Sequence, residues 1–191
     1  MKDKRFDDLE KVLEHIWAYA EKGSRARDNA MATPAFATAG PGLRTVVLRS
    51  IDRDQRALAF HTDVRAKKVQ EIESNPRVIW MGWDKNINQQ FQFKGEATVH
   101  RDDEIADEMW ESESGDELVF YYKKVEPASV LPEPESGMDI FEVEEEEARK
   151  NFGVVRTVVD EIIWQHLHPE GEYRARFVWK DGRFQGEWIV P

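Results

Sequence analysis

The segment from Gln89 to His100 constrains the fold of this chain most, because apolar and polar residues alternate along it. Its apolar positions are Phe91, Phe93, Gly95, Ala97 and Val99. A period of two residues is the repeat of a β-strand with one buried face. The segment is therefore predicted to be a long strand that lies between a core and a more polar surface.

Further β-type segments follow one another with short polar turns or brief helical runs between them. Strands are predicted over 43–51, 57–62, 77–83, 89–100, 151–163, 173–180 and 183–190. Helices are predicted over about 7–22, 66–74 and 102–111, from apolar residues at helical spacing. This order favours an antiparallel barrel with peripheral helices over a parallel sheet. The expected fold class is mainly β with peripheral helices (α+β).

Composition restricts the classes of function. The 191 residues include 38 Asp and Glu against 27 Lys and Arg, so a broad basic surface for nucleic acid is not expected. Cysteine is absent, which excludes thiol catalysis and disulfides and suits a reducing cytoplasm. No apolar run approaches the roughly 18 residues of a membrane span, and no secretory signal is recognised. We expect one cytoplasmic domain over residues 1–191.

Several familiar catalytic motifs are missing from the sequence. It contains no G-x-G-x-x-G, G-K-[ST], H-E-x-x-H or G-x-S-x-G, which disfavours Rossmann, P-loop, zinc-protease and α/β-hydrolase readings. His166 and His168 have the spacing of a metal pair, but Pro169 and Gly171 favour a simple turn, and no metal site is predicted. The acidic run 142–147 is interpreted as a solvated helical face or turn.

A cationic cluster between residues 44 and 68 stands out against the acidic background. Two β-type segments and a helix start bring together Arg44, Arg49, Thr62, Arg65, Lys67 and Lys68. Positive charge beside a hydroxyl group and a helix N-terminus is the chemistry that binds a phosphate. A phosphorylated cofactor is the first functional hypothesis.

The order of several short motifs resembles the pyridoxamine 5′-phosphate oxidase superfamily, over roughly residues 30–190. The motifs are Arg44-Thr-Val-Val-Leu-Arg49, Phe60-His-Thr-Asp63, Lys67-Lys68, Asn75-Pro-Arg77, Gln89-Gln-Phe-Gln-Phe-Lys-Gly95 and Trp164 with Arg174-Ala-Arg-Phe177. The resemblance implies an FMN-binding split β-barrel that works as a homodimer, with FMN at the subunit interface. Within that superfamily, the chain looks more like the oxidase-related FMN proteins than the vitamin-B6 enzyme.

The resemblance also implies which residues contact FMN. A flavin-lining strand is matched by Arg44, Thr45, Val46, Val47, Leu48 and Arg49. The next strand contributes His61 and Thr62, and a phosphate clamp is matched by Lys67 and Lys68. A following strand contributes Gln90, while Trp164 and Arg176 match residues that reach the flavin from the partner subunit.

Departures from the family pattern bear on the substrate. His61 stands where the family has tyrosine, Ala66 where it has serine, and Arg49 where the vitamin-B6 enzyme has a substrate-binding lysine. The Arg-x-His pair of that enzyme falls on Glu172 and Arg174, and its mid-chain phosphate-binding cluster has no clear counterpart. We therefore expect an FMN-dependent oxidoreductase of an unidentified small molecule. A non-catalytic flavin binder or sensor, or a pyridoxamine phosphate oxidase with an altered substrate site, remains open.

Overall fold

Nine strands form one antiparallel sheet in the computed structural model, which describes residues 6–113, 115–134 and 142–191. The strands are β1 (Ala35–Thr38), β2 (Leu43–Thr45), β3 (Ser50–Asp52), β4 (Ala57–Asp63), β5 (Arg77–Asp84), β6 (Gln89–His100), β7 (Phe152–His168), β8 (Gly171–Lys180) and β9 (Arg183–Ile189). The alternation that predicts β6 is confirmed, because Phe91 and Phe93 on its apolar face are completely buried.

The sheet divides at β7, the longest strand. Its order is β2-β1-β5-β6-β7-β4-β3, and β8 and β9 extend it separately from β7. The first half of β7 (residues 152–158) pairs with β4, whereas the second half (161–168) pairs with β8. The fold class is thus confirmed as a mostly antiparallel split-barrel arrangement with peripheral helices. The ladder of strands does not close into a complete barrel among the described residues.

A single extended segment, residues 43–52, connects the two ends of this ladder. We call it the crossing segment. Its first part, β2, pairs with β1, and its last part, β3, pairs with β4. Between them, the backbone N–H of Leu48 donates to Ala32 (3.0 Å), and that of Arg49 donates to Ala59 (2.9 Å). The prediction of one continuous strand over 43–51 is therefore wrong, because the chain changes its pairing partner within that stretch.

Five helices lie around the sheet in the part of the chain that the structure describes. They are α1 (Leu9–Gly23), α2 (Lys67–Ser74), α3 (Glu104–Ser112), α4 (Gly115–Leu118) and α5 (Glu145–Asn151). The carboxylate of Asp8 caps α1 by accepting from the backbone of the first turn. The buried face of α1 places Trp17 against Phe93 in the main core. None of the described helices combines the length and apolar character needed to span a bilayer.

A second, smaller apolar cluster fixes residues 115–122 beside β4 and β7. Tyr121 packs its ring edge-on against Phe152, with 4.9 Å between the ring centroids, and Leu118 and Ala148 complete the cluster. Asn151 also donates to the carbonyl oxygen of Tyr121 over 2.9 Å. This packing brings residues from the middle of the chain next to the crossing segment.

Other differences from the sequence-based elements are local. The small residues of β1 give no alternation signal, and that strand was not predicted. The strand predicted over 151–163 continues to His168, so His166 and His168 lie in β7, and the turn that Pro169 and Gly171 favour follows directly after it. The turn after Lys180 is a hairpin as predicted, with positive φ at Asp181 and Gly182. Residues 135–141, which precede the acidic run 142–147, lie outside the described residues.

Candidate functional site

A cavity of about 750 Å³ lies between the crossing segment, β4, the start of α2 and residues 117–128. We call it the main cavity, and its volume lies within the range of small-molecule cofactor sites. The structure brings these predicted residues together in its wall: Arg44, Thr45, Val46, Val47, Arg49, His61, Thr62, Lys67 and Lys68. Leu48 lies between them in sequence but points into the core, with 2% of its surface exposed.

One end of the main cavity is cationic. The ammonium group of Lys68 donates to the hydroxyl group of Thr62 over 3.1 Å, and Lys67 lines the same end. Burial and the nearby guanidinium of Arg44 lower the pKa of Lys68. Lys123 also lines the main cavity, and its Nζ atom is buried without a hydrogen-bond partner among the described residues. A buried ammonium without a partner is costly, so the wall of this cavity suits an anionic ligand.

Arg44 already has protein partners in this structure. Its guanidinium donates to the carboxylate of Glu71 over 2.8 Å and to the hydroxyl group of Thr38 over 3.0 Å. Hydrogen bonds from Thr38 and Arg44 lower the pKa of Glu71. The ion pair with Glu71 therefore fixes the position of Arg44, which adds positive charge to the cavity wall. The ammonium groups of the lysines in this wall are less constrained.

The other end of the cavity carries the carboxyl group of Glu117, with the carboxyl group of Glu113 next to it. Arg49 donates to Glu117 over 2.5 Å, and a carboxyl oxygen of Glu113 lies 3.4 Å from Nδ1 of His61. Burial raises the pKa of Glu113 to about 7, whereas hydrogen bonds with Glu113 and Arg49 lower the pKa of Glu117 to about 2. Burial and the charge of Arg49 lower the pKa of His61 to about 4. The two carboxyl groups therefore hold one proton at slightly acidic pH.

Gln90, Trp164 and Arg176 lie outside the main cavity, and the sheet separates Trp164 from Gln90 and Arg176. Trp164 is paired with Ala175, is fully buried, and donates from its indole nitrogen to Gln89 over 3.0 Å. Arg176 is paired with Ile163 and therefore projects from the opposite face. The contacts of Trp164 and Arg176 with a flavin of the partner subunit stay a prediction, and within one chain the two side chains project from opposite faces of the sheet.

The opposite face, which we call the outer face, carries a row of residues across four strands. Trp83 of β5 is paired with Gln90, Gln90 with Gln165 of β7, and Gln165 with Arg174 of β8. The Nε atom of Arg174 is buried without a hydrogen-bond partner in the described structure. Arg176 lies on the same face, and forms ion pairs with Glu161 (3.2 Å) and Glu187 (3.4 Å).

Sequence reasoning missed the cavity residues that come from the middle of the chain. Glu117, Tyr121 and Lys123 belong to the wall, although they lie more than 40 residues beyond Lys68 in sequence. Nothing in the sequence separates Lys123 from the adjacent Lys124, because the distinction depends on packing. Within the described ranges, no three His, Asp or Glu side chains converge in a way that holds a metal ion.

Comparison with known proteins shows which family the chain resembles. The model of the pyridoxamine 5′-phosphate oxidase FMN-binding domain matches residues 8–101, just under half of the chain, and these residues include the crossing segment, β4 and α2. Over this region the chain is similar to the pyridoxamine 5′-phosphate oxidase-like FMN-binding proteins. Its matched domain is an FMN-binding domain, as the sequence resemblance implies.

Curated relatives and solved structures agree with this family. The chain is 31% identical over 97 residues to the pyridoxine/pyridoxamine 5′-phosphate oxidase of Crocosphaera subtropica, and 31% identical over 86 residues to that of Granulibacter bethesdensis. These matches cover 48% and 42% of the chain, and only 44% and 40% of the relatives' length.

Two solved structures share the fold over nearly the whole chain. An oxidase-related FMN-binding protein of Nostoc punctiforme has a TM-score of 0.73 at 22% identity, covering 94% of this chain and 96% of its own. PhzG of Burkholderia lata, solved with tetrahydrophenazine-1-carboxylic acid, has a TM-score of 0.69 at 17% identity, covering 94% and 91%. At these identities the likeness concerns the fold.

Proposed function

We propose that the chain is an FMN-dependent oxidoreductase that acts on a small molecule beside the flavin in the main cavity. The observation that carries the proposal is the buried, unpartnered ammonium group of Lys123 in a wall that also contains Lys67 and Lys68. A phosphate group supplies the negative charge and acceptor oxygens that this end of the cavity lacks. The residues present therefore fit FMN.

The apolar part of the wall suits the flavin ring system. Val46, Val47 and Phe60 belong to the lining of the main cavity. Apolar walls with a few fixed polar groups are the usual surroundings of a planar cofactor. When bound, FMN supplies hydride-transfer chemistry, while the protein binds, orients and shields the reactants. In this proposal Lys67, Lys68 and Thr62 hold the phosphate group.

The proposed active form is a homodimer, as the family resemblance implies. The outer face exposes 43% of Trp83 and 37% of Ile79, which are large apolar side chains on one strand. Gln90 and Arg176 lie on this face, and we propose that they contact the flavin of the partner subunit. We propose the same contact for Arg174, because its Nε atom has no hydrogen-bond partner in the described structure. The lack of cysteine supports the proposal of a cytoplasmic location.

The carboxyl end of the cavity argues against a vitamin-B6 phosphate as substrate. Glu117 lines the main cavity with Glu113 behind it, and Arg49 is already paired with these carboxyl groups, so it has little positive charge left to attract a second phosphate group. The chain spans less than half of the length of the curated relatives, so their pyridoxine/pyridoxamine 5′-phosphate oxidase activity is not proposed for it. We propose a substrate without a phosphate group.

The test is reduction of the FMN-loaded protein by nicotinamide cofactors, followed by a panel of small-molecule acceptors. Loss of the flavin absorbance on mixing, and its return with an acceptor under anaerobic conditions, is the expected result. A protein that holds FMN tightly but turns over with no donor and acceptor is a flavin binder, and contradicts the enzymatic part of the proposal. Pyridoxamine 5′-phosphate in the panel tests the phosphate exclusion separately.

A further inference from the structure

Arg65 belongs to the cationic cluster of the sequence, but it is not among the described residues that line the main cavity. It lies between β4 and α2, where the carboxylate of Asp63 accepts two hydrogen bonds from its guanidinium. Nε donates to Oδ1 over 2.9 Å, and Nη2 donates to Oδ2 over 2.6 Å. The backbone N–H of Arg65 donates to the same carboxylate over 2.9 Å. Such a bidentate pair fixes the plane of the guanidinium.

The same guanidinium also binds the backbone of a segment that is distant in sequence. Nη2 of Arg65 donates to the carbonyl oxygen of Lys123 over 3.0 Å, and Nη1 donates to that of Lys124 over 3.1 Å. Lys123 and Lys124 lie in neither a helix nor a strand. Their carbonyl groups therefore depend on side-chain donors rather than on a backbone ladder, and Arg65 supplies a donor to both.

This contact joins the two parts of the chain that bring lysines to the main cavity. Lys67 and Lys68 are the first residues of α2, only two and three residues after Arg65, and both line the cavity. Lys123 lines the same cavity, and its Nζ atom is the one that is buried without a partner in the described structure. Arg65 thus holds the backbone of Lys123 against the start of α2.

We propose that Arg65 is a positioning residue for the phosphate group of FMN, and that it acts through Lys123. By tying the backbone of Lys123 and Lys124 to the loop before α2, it sets where the ammonium group of Lys123 lies relative to those of Lys67 and Lys68. A phosphate monoester between these ammonium groups depends on that spacing, because charge-assisted hydrogen bonds require short distances. The inference rests on the proposed function, since it requires FMN in the main cavity.

Direct attraction between Arg65 and the phosphate group is the weaker explanation. The charge of Arg65 is balanced by Asp63, so little of it acts on a ligand in the cavity. Its four side-chain hydrogen bonds also use four of the five N–H groups of a guanidinium. A lysine at this position keeps the charge, but its single ammonium group lacks the planar fork that binds Asp63 and both carbonyl groups. Arg65→Lys therefore separates position from charge.

Titration with FMN, and with riboflavin, which has the same ring system without the phosphate group, tests this role. Arg65→Lys is expected to weaken FMN binding about 10-fold, the lower end of the effect of a hydrogen bond to a charged group, and to leave riboflavin binding within about 2-fold. In the Lys123→Ala background, Arg65→Lys should change FMN binding by less than about 2-fold, because the ammonium group it positions is absent. Arg53→Lys is the matched control, since Arg53 also binds a carboxylate, that of Glu14, through two nitrogens away from the main cavity.

The outcomes distinguish a failure of this role from a failure of the proposed function. The role of Arg65 is refuted if Arg65→Lys leaves FMN binding unchanged, weakens it equally with and without Lys123, or weakens riboflavin binding as much. A wild-type protein that binds FMN but turns over with no donor and acceptor contradicts the enzymatic proposal alone, and the titrations still decide the role of Arg65. A wild-type protein that binds no FMN contradicts both.

Discussion

At the scale of single residues, Lys123 and Lys124 are adjacent in sequence but differ in what surrounds their ammonium groups. Lys124 is exposed, whereas Nζ of Lys123 is buried in the main cavity without a partner. We expect Lys123→Ala to weaken FMN binding by about 1.5–3 kcal/mol, the contribution of a hydrogen bond to a charged group. The same change should not lower the stability of the FMN-free protein, because it removes an unpaired buried charge.

Titration with FMN and thermal unfolding without it measure these two effects. Lys124→Ala is the matched control, and both quantities should stay close to those of the wild type. If Lys123→Ala binds FMN as tightly as Lys124→Ala does, the phosphate is not held at this end of the cavity.

The raised pKa of Glu113 makes a prediction about stability. In the unfolded chain a glutamic acid ionises near pH 4.3, whereas folding keeps Glu113 protonated up to about pH 7. The folded state binds the extra proton between these values, so this residue's contribution to stability falls as the pH rises from about 4.3 to 7. Glu113→Gln does not titrate, and its stability relative to the wild type should therefore increase over that interval.

The measurement is the difference in melting temperature between Glu113→Gln and the wild type at pH 5 and pH 8. In this difference, the effects of all other titrating groups on the melting temperature cancel, because both proteins contain them. Glu111→Gln, at an exposed position of α3 two residues before Glu113, is the control, and its difference should be the same at both pH values. A difference for Glu113→Gln that is equal at both pH values contradicts the burial of a protonated carboxyl group.

How much of the site the sequence predicts depends on how local its parts are. Arg49, Thr62 and Lys68 were predicted together because they are close in sequence, and the fold keeps them in one cavity wall. Glu117 and Lys123 reach the same cavity only through the packing of Tyr121 on Phe152, which no local pattern reports. Trp164 is a different case. The motif predicts its residue type, but it does not predict on which face of the sheet the side chain lies.

At the scale of elements, the strands that were predicted well are those with a regular alternation and a polar turn at each end. β6 and the hairpin of β8 and β9 are such cases. β1 has small residues and gives no strand signal in the sequence. The crossing segment has the composition of one strand, because a sequence does not show which segments pair with each other. The change of partner at residues 46–49 depends on Ala32 and Ala59, which lie in separate segments.

The pairing of β6 with β7 contains an irregularity that depends on glycine. The register shifts between Lys94 and Gly95, and a Cβ atom at Gly95 would lie 2.1 Å from the carbonyl oxygen of Val158. Gly95→Ala is therefore expected to lower the free energy of unfolding by roughly 3 kcal/mol, the upper part of the usual range for overpacking.

Chemical denaturation of Gly95→Ala and Gly115→Ala measures this effect against a matched control. A Cβ atom at Gly115 meets open space at the start of α4, so the change there should stay within about 0.5 kcal/mol. Equal stabilities of the two variants would show that β6 and β7 do not approach each other in this way.

At the scale of the whole molecule, the proposed dimer uses the outer face of the sheet. Trp83 and Trp188 have nearly equal exposure, 43% and 44%, but lie on opposite faces. Trp83→Glu is expected to weaken self-association at least about 10-fold, because it removes a large apolar contact, and to weaken FMN binding with it. Sedimentation analysis should give the Trp188→Glu variant the same oligomer mass as the wild type. Dissociation by Trp188→Glu alone would place the interface on the other face.

Whether the main cavity holds FMN can be read from the visible absorption spectrum of the purified protein. We expect a yellow protein, or one that becomes yellow when FMN is added. Mass spectrometry should then identify FMN in the material that heat releases, at one molecule per chain. A colourless protein that takes up no added FMN would contradict the claim.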